Sequence, residues 1–119
     1  MYRKPMMIAV EDLAEGVYAA SGSGAAVTAQ YLSDSTNDWT GETDTKFKVI
    51  LTGNHAGHQK ITLTFNGTFR EGWGGNGSVI CNGNVATLDV WDPQDTFEIT
   101  LKGMTKGLSF VSGKIESVN

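Results

Sequence analysis

The sequence predicts an all-β domain, an antiparallel β-sandwich of about seven to eight strands. Three observations predict it. Apolar residues alternate with polar ones at a period of two from Thr45 onward, turn dipeptides interrupt the chain at short intervals, and no stretch after Gly24 carries helical periodicity. Alternation of this kind buries one face of a pleated strand and leaves the other wet. The missing helices exclude a parallel α/β sheet, which needs helical crossovers. At 119 residues, the chain has room for one domain with one core.

The strands follow in order. Residues 25–31 predict an edge strand. In the next strand Phe47, Val49 and Leu51 share one face, with Lys46, Lys48 and Thr52 opposite. The pattern returns as Ile61, Leu63 and Phe65 against Lys60, Thr62 and Thr64, and as Phe97, Ile99 and Leu101 against Glu98, Thr100 and Lys102. Residues 79–81 and 85–91 predict two further strands, and 108–111 with 114–118 one or two more. Turn chemistry separates them: Asn54-His55-Ala56-Gly57, Asn66-Gly67, Gly74-Gly75-Asn76-Gly77, Asn82-Gly83, Asp92-Pro93 and Lys106-Gly107. The recurring Asn-Gly pairs read as hairpin turns, not as a repeated functional unit.

Residues 1–24 differ in composition from the rest, which places the domain at 25–119. Tyr2-Arg3-Lys4-Pro5 is basic, Met6-Met7-Ile8-Ala9-Val10 is apolar, Glu11 to Glu15 is acidic, and small residues follow. Five apolar residues are too few for a general secretory signal or a membrane span. Two readings fit: an export leader of the peptidase-coupled type, with Leu13 and Val17 on a short amphipathic helix, or a first element packed on the domain. The Tyr2-Arg3-Lys4-Pro5 start and Glu15-Gly16-Val17-Tyr18-Ala19-Ala20-Ser21-Gly22 resemble small uncharacterised exported proteins of gut Gram-positive anaerobes. That resemblance implies a secreted or cell-surface location in a bacterium.

Charge argues against several partners. Nine basic and thirteen acidic residues give a net charge of −4, so no basic face is available to neutralise phosphates, and nucleic acid is not an expected partner. The single cysteine, Cys81, allows no intramolecular disulfide, and the residues around it read as a strand ending in a turn. A small buried hydrophobe is the expected role.

Function points to the three tryptophans, since indoles stack on sugar rings and anchor interfaces. Trp91 has the parity of Thr87 and Asp89, opposite Ala86, Leu88 and Val90, and should point outward or cap the strand end. Trp39 lies in a polar stretch and Trp73 in a glycine-rich one, both read as loops. Each indole either offers a contact surface or folds back over an end of the sandwich.

The order Asn37-Asp38-Trp39, Phe47 to Asn54, Ile61 to Phe65, Trp73 and Asp95-Thr96-Phe97 resembles family 2 carbohydrate-binding modules of bacterial cellulases. That resemblance spans about residues 31–103 and implies a sandwich that holds polysaccharide on a strip of exposed tryptophans, with Trp39 and Trp73 at two strip positions. The chain departs from the family: its paired cysteines are missing, His58-Gln59-Lys60 stands where a tryptophan is expected, and Trp91 is displaced from the third position. An immunoglobulin-like sandwich fits the strand pattern equally.

Other chemistry finds less footing. His55 and His58 form His-x-x-His without an adjacent third donor, so solvated loop histidines are expected and no metal site. The acidic run Asp34, Asp38, Glu42 and Asp44 lacks an EF-hand pattern, and calcium is left open. Ser21-Gly22-Ser23-Gly24 lacks the flanking strand and helix of a nucleophile elbow. The expectation is therefore a non-catalytic module without a cofactor, exported or surface-displayed, binding polysaccharide or glycan through Trp39, Trp73 and Trp91. The alternatives are an adhesin or host-protein-binding domain, for example immunoglobulin-binding, working through outward Thr62, Thr64, Thr100 and Lys102, and a self-assembling surface subunit. Homo-oligomerisation is left open.

Overall fold

The computed structural model describes Tyr18–Ala19, residues 24–75 and residues 78–118, and these residues form antiparallel strands and turns without a helix. The expected leader falls almost wholly outside the described residues. No helix among them is long and apolar enough to cross a membrane. The strands are β1 (Tyr18–Ala19), β2 (Ala26–Thr36), β3 (Thr43–Thr52), β4 (His58–Phe65), β5 (Glu71–Gly74), β6 (Ser78–Asn82), β7 (Val85–Trp91), β8 (Thr96–Gly103) and β9 (Phe110–Ser117). They make a five-stranded sheet in the order β1-β2-β3-β8-β5 and a four-stranded sheet in the order β6-β7-β4-β9. The expected β-sandwich is what the chain forms.

Two nested pairings organise it. β3 pairs with β8 in one sheet and β4 with β7 in the other, so the consecutive strands β3–β4 and β7–β8 form one long ribbon folded across both sheets. Residues 53–57 and 92–95 are the bend of that ribbon. The bend is closed by backbone bonds from Asp92 N to Gly57 O (2.8 Å) and from Leu51 N to Asp95 O (2.7 Å). Buried backbone groups must find partners, and here the two crossing loops supply them to each other.

The core is the alternation made solid. Phe47, Val49, Ile61, Leu63, Phe65, Leu88, Ile99, Leu101 and Ile115 are all buried. Phe65 is its hub, with ring centroids 4.9 Å from Phe47 in the opposite sheet, 5.5 Å from Phe69 and 5.9 Å from Phe110.

The structure also corrects the strand map. β2 continues past Tyr31 to Thr36, because a register shift between Tyr31 and Ser33 breaks the alternation while the ladder goes on. The segments expected at 108–111 and 114–118 are joined in one strand, β9, which runs Phe110–Ser117 with Leu108 buried just ahead of it. The glycine-rich stretch around Trp73 is a strand, β5, where a loop was expected. Gly72 faces inward, and a Cβ there would stand 2.8 Å from Leu101 Cδ2 and 2.8 Å from Val79 Cγ1, so only glycine lets this edge strand lie against the core. Phe65→Ala should lower the free energy of unfolding by about 3–5 kcal/mol, whereas Lys60→Ala on the outer face should change it by less than about 0.5 kcal/mol, as read from urea denaturation.

Candidate functional site

All three tryptophans are exposed, and they do not share a face. Trp39 (94% exposed) stands on the β2–β3 loop at one end of the sandwich. Trp73 (43%) pairs with Thr100 on the outer face of the five-stranded sheet, with Lys102 Nζ 5.7 Å above its ring. Trp91 (67%) ends β7 on the outer face of the four-stranded sheet, beside the ribbon bend. The outward residues of the alternative reading are divided in the same way. Thr62 and Thr64 lie on β4, while Thr100 and Lys102 lie on β8 in the other sheet. No single face carries either set.

Trp91 is the tryptophan with built surroundings. Its ring stacks on His58, its partner across the ladder, at 4.3 Å between centroids and 11° between planes. His58 Nε2 donates to the Asp89 carboxylate, which fixes the imidazole under the indole. One face of Trp91 is therefore supported and the other is open to solvent. The adjoining bend forms a shallow cleft of about 340 Å3 lined by Gly53, Asn54, His55, Ala56, Asp92 and Pro93. His55 Nε2 donates to Asp95 Oδ1 at 2.8 Å, and the His55 side chain is only 12% exposed. Both histidines thus depart from the solvated loop role expected of them: each is largely covered and held by an aspartate. Sequence reasoning missed these pairs because His55 and Asp95 are 40 residues apart and His58 and Asp89 are 31 apart.

Asp92 clamps the cleft. Its φ of +43° is the left-handed region, reached here by the residue preceding Pro93. Proline disfavours helical backbone before it, and a non-glycine residue in this region carries strain that neighbouring contacts must hold. Those contacts run to Gly57, which donates to Asp92 Oδ1 at 2.7 Å while Asp92 N donates back to the Gly57 carbonyl. Beneath the loop, the buried Gln59 side chain donates to Ala56 O at 2.6 Å. The loops flanking Trp91 are accordingly held from both sides.

The other end is held differently. Asn37 Oδ1 accepts from Trp39 N (2.8 Å) and Thr40 N (3.2 Å), an Asx turn that fixes the loop. Glu42 closes that loop onto Arg70, which grips both carboxylate oxygens, Nη2 to Oε1 at 2.8 Å and Nε to Oε2. The Arg70 hydrogen bonds hold the Glu42 carboxyl below the ordinary glutamate range, against the opposing effect of burial and with help from the Arg70 and Lys102 charges.

Cys81 is half-buried on the inner side of β6, and burial, then the Glu71 charge, pushes its thiol above the usual cysteine range. That is the direction opposite to an activated nucleophile. Among the described residues no group of three or more His, Cys, Asp or Glu side chains is arranged to hold a metal ion. Compared with known proteins, the chain matches no family model, no curated protein and no solved structure.

Asp92→Ala removes the bond to Gly57 while keeping a left-handed backbone that alanine tolerates poorly. It should cost about 1–3 kcal/mol in thermal or urea unfolding, and Asp92→Asn, which suits both the turn and the backbone, should recover most of that loss. A depressed carboxylate stabilises above its ordinary pKa and loses that effect as the pH falls through its folded value. Acid should therefore loosen the Trp39 loop, and Glu42→Gln should abolish this pH dependence of Trp39 emission, measured in a variant carrying Trp73→Phe and Trp91→Phe.

Proposed function

We propose that this chain is a non-catalytic binding module, exported or displayed on a cell surface, and that it holds polysaccharide or glycan at the ribbon bend. The observation that carries this reading is the Trp91–His58 stack beside a polar cleft. A sugar ring presents an apolar C–H face and a rim of hydroxyls, so its binding site needs an aromatic plane and nearby hydrogen-bonding groups. Trp91 offers the plane. Asn54, Asp92 and Asp95 offer the polar groups, and the stack on His58 fixes the indole before ligand arrives, which lowers the entropic cost of binding.

The reading narrows the three-tryptophan strip to one tryptophan. Trp73 is partly covered and has Lys102 over its ring, and among the described residues no ring stacks beneath Trp39 to fix its indole. One observation favours protein binding as a second reading: the backbone of the Trp39 loop is held by an Asx turn while the indole itself stands uncovered at the opposite end.

Retention on immobilised polysaccharides, tested across cellulose, xylan and chitin, should weaken at least about tenfold in Trp91→Ala, equivalent to about 1.4 kcal/mol. Trp73→Ala should retain binding. Unchanged retention by a folded Trp91→Ala protein would sink the proposal, as would equal losses in both variants.

A further inference from the structure

The charges around Trp91 distinguish one class of sugar from another. Asp89 and Trp91 are two residues apart on the outer face of β7, and Asp92 follows Trp91 directly, so carboxylates flank the indole on both sides along the chain. Asp95 stands on the same loop as Asp92, against His55. Each of the three uses one oxygen inside the protein: Asp89 accepts from His58, Asp92 from Gly57 N, and Asp95 from His55. The second oxygen of each has no partner among the described residues, and the side chains of Asp89 and Asp95 are 62% and 83% exposed.

Little positive charge offsets them. Among the described residues no lysine or arginine lines the cleft. Lys60 faces Asp89 across the ladder, but Glu116 flanks it on its other side, which leaves the aspartates of the bend in excess. Nor do the carboxylates converge as metal ligands do, since among the described residues no group of three or more His, Cys, Asp or Glu is arranged to hold an ion. They are spread along an aromatic plane instead, which suits a positive charge carried on an organic ring.

An ammonium group on a sugar uses every part of this arrangement. It is attracted to the face of an indole, and its hydrogen bonds to carboxylate oxygens are stronger than those of a neutral hydroxyl or amide. The sugar that bears it keeps the C–H face that stacks on Trp91. A uronate in the same place would set its carboxylate against Asp89 and Asp92.

We infer that the bend selects amino-sugar polymers, chains whose rings carry a free charged amine, over neutral and N-acetylated chains, and that it rejects polyuronates. Asp89 and Asp92 set the preference by holding the ammonium at the edges of the indole. This inference rests on Trp91 as the sugar platform and adds to it the charge of the sugar.

Titration calorimetry on the full chain with hexamers of glucosamine and of N-acetylglucosamine, at low salt and about pH 6, tests this, because acetylation removes the charge of the amine and keeps the ring. The glucosamine hexamer should bind at least about tenfold more tightly, and added salt should shrink the difference. In the Asp89→Asn, Asp92→Asn protein the ratio should fall to within about threefold, while the asparagine oxygens still accept from His58 and Gly57 and circular dichroism finds the chain folded. A lysine hexamer, which carries the charge without the ring, should bind at least about tenfold more weakly than the glucosamine hexamer. Polygalacturonate should not bind. Equal affinity for the two sugar hexamers, a preference that survives the double substitution, or a lysine hexamer that binds as well would each overturn the inference. If neutral polysaccharides still require Trp91 in those cases, the glycan reading stands without it; if no sugar requires Trp91, both fall.

Discussion

The contact of Phe47 in one sheet with Phe65 in the other is the interaction on which the remaining structure depends. Each sheet has a single apolar face, and neither is stable until that face is covered. Phe65 meets Phe47, Phe69 and Phe110 within 4.9–5.9 Å, so one ring ties β3, β4, the start of β9 and the segment before β5 into a single cluster. Tilted and edge-on pairs of this kind add about 0.5–1.5 kcal/mol each beyond simple burial. The cluster needs small residues around it. A Cβ on Gly113 would stand 2.9 Å from Val27 Cγ1 and 3.0 Å from the Phe110 ring, so glycine on β9 keeps the two sheets in contact at their edge. With the sheets fixed in this way, the positions of the surface loops are fixed as well.

The topology then explains why polar chemistry collects at one end. When the β3–β4 and β7–β8 ribbon crosses between sheets, both of its chains leave their ladders at the same place, and their backbone groups must be satisfied there. Asp92 and Asp95 do part of this through Gly57 and Leu51, and Asn54 Oδ1 accepts from Ala56 N at 3.3 Å. The residues that close the bend are therefore short, polar and acidic, and β7 delivers Trp91 directly beside them. An aromatic plane next to a polar cleft is in this sense a by-product of folding a ribbon over. Asp92 is the point where that geometry is most demanding, since it combines a left-handed backbone with the bond to Gly57.

Much of the core was legible from alternation alone. Phe47, Val49, Leu51, Ile61, Leu63, Ala86, Leu88, Val90, Ile99 and Leu101 were read as inward and are buried, and the outward parity of Trp91 followed from the same rule. What was not legible has specific causes. Two glycines in four residues hid β5, because glycine weakens strand propensity although here it makes the close approach to Leu101 possible. The register shift after Tyr31 hid the far half of β2, which is exposed on both faces and so carries no apolar pattern. The site was harder still. Parity tells which way Trp91 points, but His58 beneath it and the aspartates holding His55 and His58 come together only through the nested pairing of distant strands.

The two ends of the sandwich are suited to different partners, and electrostatics separates them further. At the bend, Asp89, Asp92 and Asp95 each use one carboxylate oxygen on a neighbour and leave the other without a partner among the described residues. Bringing two such ends face to face would set like charges against one another within the roughly 8–10 Å over which salt at ordinary strength does not screen them. Self-association is opposed there, while a neutral, hydroxyl-rich ligand meets no such penalty. At the opposite end Arg70 lies between the carboxylates of Glu42 and Glu71 and pairs with both, so the charge there is spent on holding the loop that carries Trp39. The ion pair at that end thus ties the Trp39 loop to the residues that lead into β5, whereas the carboxylates of the bend keep oxygens that a hydroxyl-rich ligand can use.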